Sequence, residues 1–264
     1  WIDGQNIVVE VHRTKPGQSD LATLATELAH RKVDVIVAIF TPAGFAAKAA
    51  TRDIPIVAYT GDMVGSGLVE SLARPGGNMT GITGIGPDIM AIRLDIFRQM
   101  VPDLRRLACV LNEIDPLHRI YLEHQEAAGK KLGFEIVPFK VRPGQPLGAD
   151  AVGIAQSKAD GMWIQSSLSR PEVADFIRKS PIPTVGDIRW FADNGGLMTY
   201  GTNQNSVKRQ LASFVDRVLK GAKPADIAVQ QPTKFEMVLN LKTAKALGLT
   251  ITPLLLAQAD EVIE

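Results

Sequence analysis

The 264-residue chain is poor in the features that usually announce chemistry. It has one cysteine, Cys109, so no intrachain disulfide can form, and its place inside "LACVL" reads as a small core residue rather than a reactive thiol. No apolar run reaches the roughly 18 residues of a membrane-spanning helix, so stable membrane insertion is not expected. The formal net charge is only +1 and the basic residues are scattered, which argues against nucleic acid as a partner. There is no G-x-x-x-x-G-K-[ST] loop, and "GITGIG" at 81–86 places its glycines in the wrong order for a dinucleotide fingerprint. The serine-elbow pattern fails because Val64 stands two positions before Ser66. The four histidines, His12, His30, His118 and His124, lack metal-ligand spacing, and the acid pair Glu113/Asp115 has no catalytic company. We therefore expect no cofactor, no metal and no enzymatic activity.

What the chain does have is rhythm. With 45% hydrophobic and 22% charged residues it is a folding chain, long enough for two lobes of roughly 100 to 150 residues. Short β-branched runs at 6–12, 33–40, 54–59, 107–111, 134–139, 161–165, 182–186, 196–200 and 235–240 read as strands. Amphipathic stretches separate them. In "SDLATLATELAHRK" Ser19 is placed to cap a helix with Leu21, Leu24, Ala25, Leu28 and Ala29 on one face. "DIMAIRLDIFRQMV", 117–132 and "NSVKRQLASFVDRVLKG" follow the same pattern, the last ending in Gly221 as a C-terminal cap. Alternating strands and helices, with strands apolar on both faces, specify an α/β protein of parallel sheets covered by helices. About nine strands, and a fresh start at "VPDLRRLACVLN" after a long loop at 74–87, favour two sheets. We expect one lobe at 1–102 plus about 203–227 and a second at about 103–202 plus 228–264.

Ligands of open α/β sheets bind beyond the carboxyl ends of the strands, where helix N-termini direct N–H groups outward. In "VDVIVAIFTPAGFAAKAAT" the strand runs into Thr41 and Pro42, and Ala43 and Gly44 would leave their amides open to an anion; alternatively, Thr41 simply caps a buried helix. Equivalent positions carry Tyr59, Thr60, Gly61 and Asp62 in one lobe. In the other they carry Asn112 and Asp115, Gln165, Ser166 and Ser167, Asp187 and Arg189, and Tyr200 with Asn203. None is a nucleophile with its base, so the set reads as recognition without chemistry.

Four segments carry a resemblance: "GDMVGSGLVESLARPGGNMTGITG" (61–84), "GGLMTYG" (195–201), "LKGAKPADIAVQQPTKFEMVLNLKTAKALGLTI" (219–251) and "LLLAQADEVIE". They resemble the substrate-binding proteins of ABC importers of the tryptophan/tyrosine type, over essentially the whole chain. The resemblance implies a type I periplasmic-binding-protein fold, with two Rossmann-like lobes joined by three crossovers and closing on a small molecule in the cleft between them. It implies ligand contacts from Thr41, Pro42 and Ala43, from Thr60 to Asp62, from the segment around Asn78 and Thr80, and from Asn112, Ser166 and the 187–189 loop. Met63, Glu113 and Gly186-Asp187-Ile188 depart from the usual residues at the border of the cleft, so the expected ligand is an aromatic amino acid or a related carboxylate. "WIDGQNI" is similar to the segment after the family's first helix, so a first strand would lie upstream of Trp1.

The expected function is therefore an extracytoplasmic, periplasmic receptor, with a lipid anchor upstream as a variant, that passes its ligand to a membrane permease. A carboxylate would sit at Thr41 to Gly44 and a ring on Tyr59, Phe40, Trp190 or Tyr200, while Arg189 would either fork a second carboxylate or tie down its own loop. The alternative is the ligand-sensing effector domain of a regulator or receptor.

Overall fold

A computed structural model describes residues 1–14, 20–84, 86–142 and 148–264 and divides the chain into two compact units. Unit 1 comprises Trp1–Gly84 and Asn205–Pro232, and unit 2 comprises Ile85–Gln204 and Thr233–Glu264, so the chain passes between them three times.

Unit 1 holds α1 (Leu21–His30), β1 (Ile36–Ile39), α2 (Thr41–Ala50), β2 (Ile56–Thr60) and β3 (Met79–Thr83), and later α8 (Gln204–Leu219). Its three strands form one parallel sheet in the order β1-β2-β3. One face packs Ile36, Ala38, Ile56, Ala58 and Met79 against Ala47 of α2 and against Met63 and Leu68. The other face packs Val57, Tyr59 and Ile82 under Val207, Leu211, Phe214 and Val218, one stripe of α8. That helix ends as its sequence demands: Gly221 adopts φ +95°, and the amides of Gly221 and Ala222 return to the carbonyls of Val218 and Arg217.

Unit 2 holds α3 (Pro87–Met100), β4 (Arg106–Asn112), α4 (His118–Leu132), β5 (Glu135–Val141), α5 (Gly148–Gln156), β6 (Gly161–Ile164), α6 (Pro171–Lys179), β7 (Thr184–Gly186), α7 (Trp190–Asp193) and β8 (Met198–Thr202). After α8 the chain returns as β9 (Phe235–Asn240), α9 (Leu241–Ala246), α10 (Pro253–Gln258) and β10 (Glu261–Ile263). The seven strands lie in the order β10-β9-β8-β7-β6-β4-β5, parallel throughout except where β8 meets β9. Cys109 and Trp163, neighbours in this sheet, are completely buried, and burial pushes the Cys109 thiol well above its ordinary pKa.

The sequence expectations need four corrections. Residues 6–12 form no strand: Val8, Val9 and Val11 are exposed, and only Ile7 makes an isolated bridge, to Asp3. A β-branched run becomes a strand only where a neighbour completes its ladder. The supposed loop at 74–87 contains β3, whose five residues are all buried. The segment 85–102 belongs with unit 2, because Met90, Leu94, Phe97 and Met100 of α3 are core residues there with Leu107 and Trp163. Residues 228–232 belong with unit 1, where Gln230 exchanges backbone bonds with Gly81 and Thr83. Strand β1 is also less covered than expected, since Val37 and Ile39 are 48% and 41% exposed. Ser19 lies outside the described residues; Asp20 caps α1, accepting from the Thr23 amide at 2.8 Å.

Candidate functional site

In unit 1 the carboxyl ends of β1 and β2 meet the start of α2. Phe40 joins β1 to that helix with φ +70° and ψ 157°, a conformation nearly restricted to glycine that costs about 1–3 kcal/mol and collects at functional sites. Its amide is held by the Tyr59 carbonyl at 2.8 Å, so the strain is fixed by the sheet. Thr41 is 1% exposed and accepts from the Gly61 amide at 3.2 Å, which ties the helix start to the end of β2. Pro42 occupies the first turn, as expected. Gly44 does not offer its amide outward: it donates to the Phe40 carbonyl at 3.1 Å, and a side chain there would press on Thr60 and Leu68. Ala43, in the first turn, keeps an amide that helix geometry leaves unpaired.

Several further unit 1 candidates serve the fold. Asn78 donates to the carbonyls of Thr51 and Ile54. Thr80 sits inside β3 rather than at its end and donates to the Ile227 carbonyl at 2.6 Å. Asp62 folds its carboxylate back onto the amides of Val64 and Gly65. Thr83, which sequence reasoning overlooked, ends β3 and bridges the Gly61 carbonyl to the Met63 amide. Thr60 differs from all of these: it is 3% exposed, ends β2, and its hydroxyl has no partner among the described residues.

In unit 2 the ends of β4 and β6 form a closed polar network. Gln165 receives the Asn112 amide at 2.9 Å and donates to Asp115 at 2.6 Å; Ser167 accepts from the Asn112 side chain and donates to Asp115. The other Asp115 oxygen accepts from the Leu117 amide at 2.9 Å. Burial nevertheless raises the Asp115 carboxyl above its usual range, against these bonds and the nearby His118. These bonds tie the ends of β4 and β6 together within the fold.

Beyond it, beside the ends of β6 and β7, lie groups that are not closed off. Asp187 follows β7; its Oδ1 is removed from water and has no hydrogen-bond partner among the described residues. Burial raises its carboxyl, while Arg93 and the Ser166 hydroxyl pull the other way. Arg170, at the start of α6, keeps a buried Nη2 without a partner among the described residues, and the Glu172 carboxylate is 3.9 Å from Nε. Burial lowers the Arg170 guanidinium. Arg93 and Arg170 were both missed from sequence, Arg93 because it lies mid-helix and Arg170 because "SLSRP" reads as a turn.

Arg189 is occupied. Both terminal nitrogens reach Glu261, and Nε lies 3.3 Å from Asp193. These partners raise the arginine and lower Glu261, so of the two roles considered the structure provides the tie of its own loop. The aromatic residues also divide. Tyr59 is 8% exposed inside the core of unit 1, whereas Phe40, Trp190 and Tyr200 are only part-buried, with Tyr200 stacked on Phe235 at 6.3 Å. Asn203 follows β8, its amide donating to the Lys234 carbonyl. Among the described residues no group of His, Cys, Asp and Glu could hold a metal ion, and no helix is long and apolar enough to cross a membrane.

The chain is similar to known proteins along nearly its whole length. A tyrosine-binding protein of Clostridioides difficile (strain R20291) is 26% identical over 255 residues, 94% of this chain and 72% of that protein. An ABC domain from Streptococcus pneumoniae, solved in complex with L-Trp, superposes with a TM-score of 0.82 at 27% identity, covering 92% of this chain and 85% of that one. A conserved domain protein of Vibrio cholerae gives the same TM-score at 24% identity over 92% and 82% of the two chains, a likeness of fold alone. The profile of the ABC transporter substrate binding proteins matches residues 2–263. With a type I periplasmic binding fold and a family match over residues 2–263, this chain belongs to the ABC transporter substrate-binding proteins, which bind and do not catalyse.

Proposed function

We propose that this protein binds a small organic acid carrying an aromatic ring and presents it to the permease of an ABC importer, working in the periplasm or its extracytoplasmic equivalent. The observation that carries the reading is the family match over residues 2–263, supported by two relatives named for tyrosine and L-Trp. The strand-end groups suit such a ligand. The start of α2 at Thr41 to Ala43, with the unpartnered Thr60 hydroxyl, provides donors for a carboxylate, and a helix terminus adds about 0.3–2 kcal/mol to an anion. Phe40, Trp190 and Tyr200 provide part-buried ring surface. Arg170 and Asp187 supply charge on the second unit, with Gly61, Asp62, Asn112 and Ser166 framing the two sets of strand ends.

Micromolar binding requires about −8 kcal/mol, within reach of one buried ring and a few hydrogen bonds. A thermal-shift screen of aromatic amino acids, benzoates and phenylpropionates tests the reading. A true ligand at 100 times its dissociation constant should stabilise the protein by about 2.7 kcal/mol and raise its melting temperature. If only sugars, nucleosides or aliphatic compounds raise it, the aromatic-acid assignment is wrong.

A further inference from the structure

We infer that Arg170 receives a second acidic group of the ligand, so that this protein prefers aromatic diacids to monoacids of the same shape. The inference rests on the reading of the strand ends as an aromatic-acid site and names the substrate class within it.

Arg170 is both more buried and less paired than the other arginines that stand near carboxylates. Arg31, Arg106, Arg142, Arg178 and Arg189 have side chains 36–59% exposed, and each donates a hydrogen bond to its carboxylate. The Arg170 side chain is only 19% exposed, yet the Glu172 carboxylate stands 3.9 Å from Nε, beyond hydrogen-bond reach. Its Nη2 is removed from water and has no partner among the described residues. A buried cation is costly unless it is paired, and burial lowers the Arg170 guanidinium accordingly. Asp187 does not claim it, since the cation that acts on that carboxylate is Arg93. Buried polar atoms in folded proteins are nearly always paired, so this guanidinium calls for an anion from outside.

Its place and chemistry suit such an anion. Strand β6 ends at Ile164, and a single 3₁₀ turn, Ser166–Leu168, leads to Arg170 at the start of α6. Arg170 therefore belongs to the same end of the sheet as Ser166 and Asp187. The helix dipole favours negative charge at this start, and Glu172, which is more than half exposed, can turn into water when a ligand arrives. A guanidinium presents paired N–H groups that fit a carboxylate, and a hydrogen bond between charged groups is about twice as strong as a neutral one. The neutral donors at the start of α2 are already assigned to one carboxylate, so Arg170 calls for another. Its backbone is set in advance: the Leu168 and Ser169 amides donate to the Gln165 and Ser166 carbonyls, the Val173 amide donates to the Arg170 carbonyl, and Leu168 and Val173 are buried. Ordering on binding is thereby reduced to the side chain.

Calorimetric titration of the full chain tests the inference with matched pairs: benzoate against terephthalate, 3-phenylpropionate against 3-(4-carboxyphenyl)propionate, and phenylalanine against 4-carboxyphenylalanine, with adipate as a diacid that lacks a ring. In the pair that binds, the diacid should bind at least ten-fold more tightly. Arg170→Gln should bring that ratio below two, with the melting temperature unchanged or higher; Arg170→Met takes its place if the glutamine variant does not fold. A wild-type ratio below ten overturns the inference, as does a ratio that stays above two in the variant. Binding of monoacids alone removes the role of Arg170 but leaves the proposed function standing. Adipate bound more tightly than every aromatic probe, with that affinity lost in Arg170→Gln, keeps Arg170 and removes the ring. Absence of binding by all the probes removes both.

Discussion

The two units carry the same kind of strand end but finish it differently. In unit 1 the polar groups are mainly hydroxyls and amides, and most are consumed by neighbouring backbone: Thr41 by Gly61, Thr83 by Gly61 and Met63, and Thr80 by Ile227. What remains is neutral, the Thr60 hydroxyl and the first-turn amides of α2. In unit 2 the network of Asn112, Asp115, Gln165 and Ser167 closes on itself, and what remains is charged, at Asp187 and Arg170. The difference shows that a polar residue at a strand end identifies a site only when its partners have been counted. A satisfied group holds the strand end together, and an unsatisfied one is a candidate for an outside partner.

The contrast can be broken at either end. Asp115→Ala should have the largest effect: it strips acceptors from Gln165, Ser167 and the Leu117 amide at once and should destabilise unit 2 by about 3 kcal/mol. Urea unfolding followed by tryptophan fluorescence reads it directly, since Trp163 and Trp190 both lie in unit 2. A loss below about 1 kcal/mol would mean that the network does not hold the rim. Thr60→Val should move in two directions: ligand affinity falls about ten-fold, while the melting temperature holds or rises because an unpaired buried hydroxyl has been removed. Equal losses in stability and affinity would make Thr60 a structural residue like Thr80. Arg189→Ala should have the smallest effect, less than two-fold in affinity by titration, because its guanidinium is already spent on Glu261 and exposed ion pairs contribute about 0–1 kcal/mol. A ten-fold loss would return Arg189 to the ligand.

Much of the fold was legible because period and punctuation are local. Helix α8 could be placed from Val207, Leu211, Phe214, Val218 and Gly221 alone, and β4, β6 and β9 from their unbroken apolar runs. Failures came where pairing decides. "IVVEVHR" has strand composition but no ladder partner, whereas "MTGIT", interrupted by a glycine, becomes a strand because β2 lies beside it. The strand ends were located correctly, but which of their polar groups are satisfied within the fold was out of reach. Asn112 meets Gln165 across 53 residues, Arg189 meets Glu261 across 72, and Thr80 meets Ile227 across 147. No local pattern encodes such distances.

The threefold passage of the chain between units has a consequence for dissection. One face of the unit 1 sheet packs under α8 and Ile227, which lie beyond the first unit 2 segment in the chain, and the sheet of unit 2 takes β9 and β10 from the segment that begins at Thr233. No single cut therefore separates the two units, because a cut at any crossing carries part of one core away with the other. Isolating either unit requires its two segments to be rejoined.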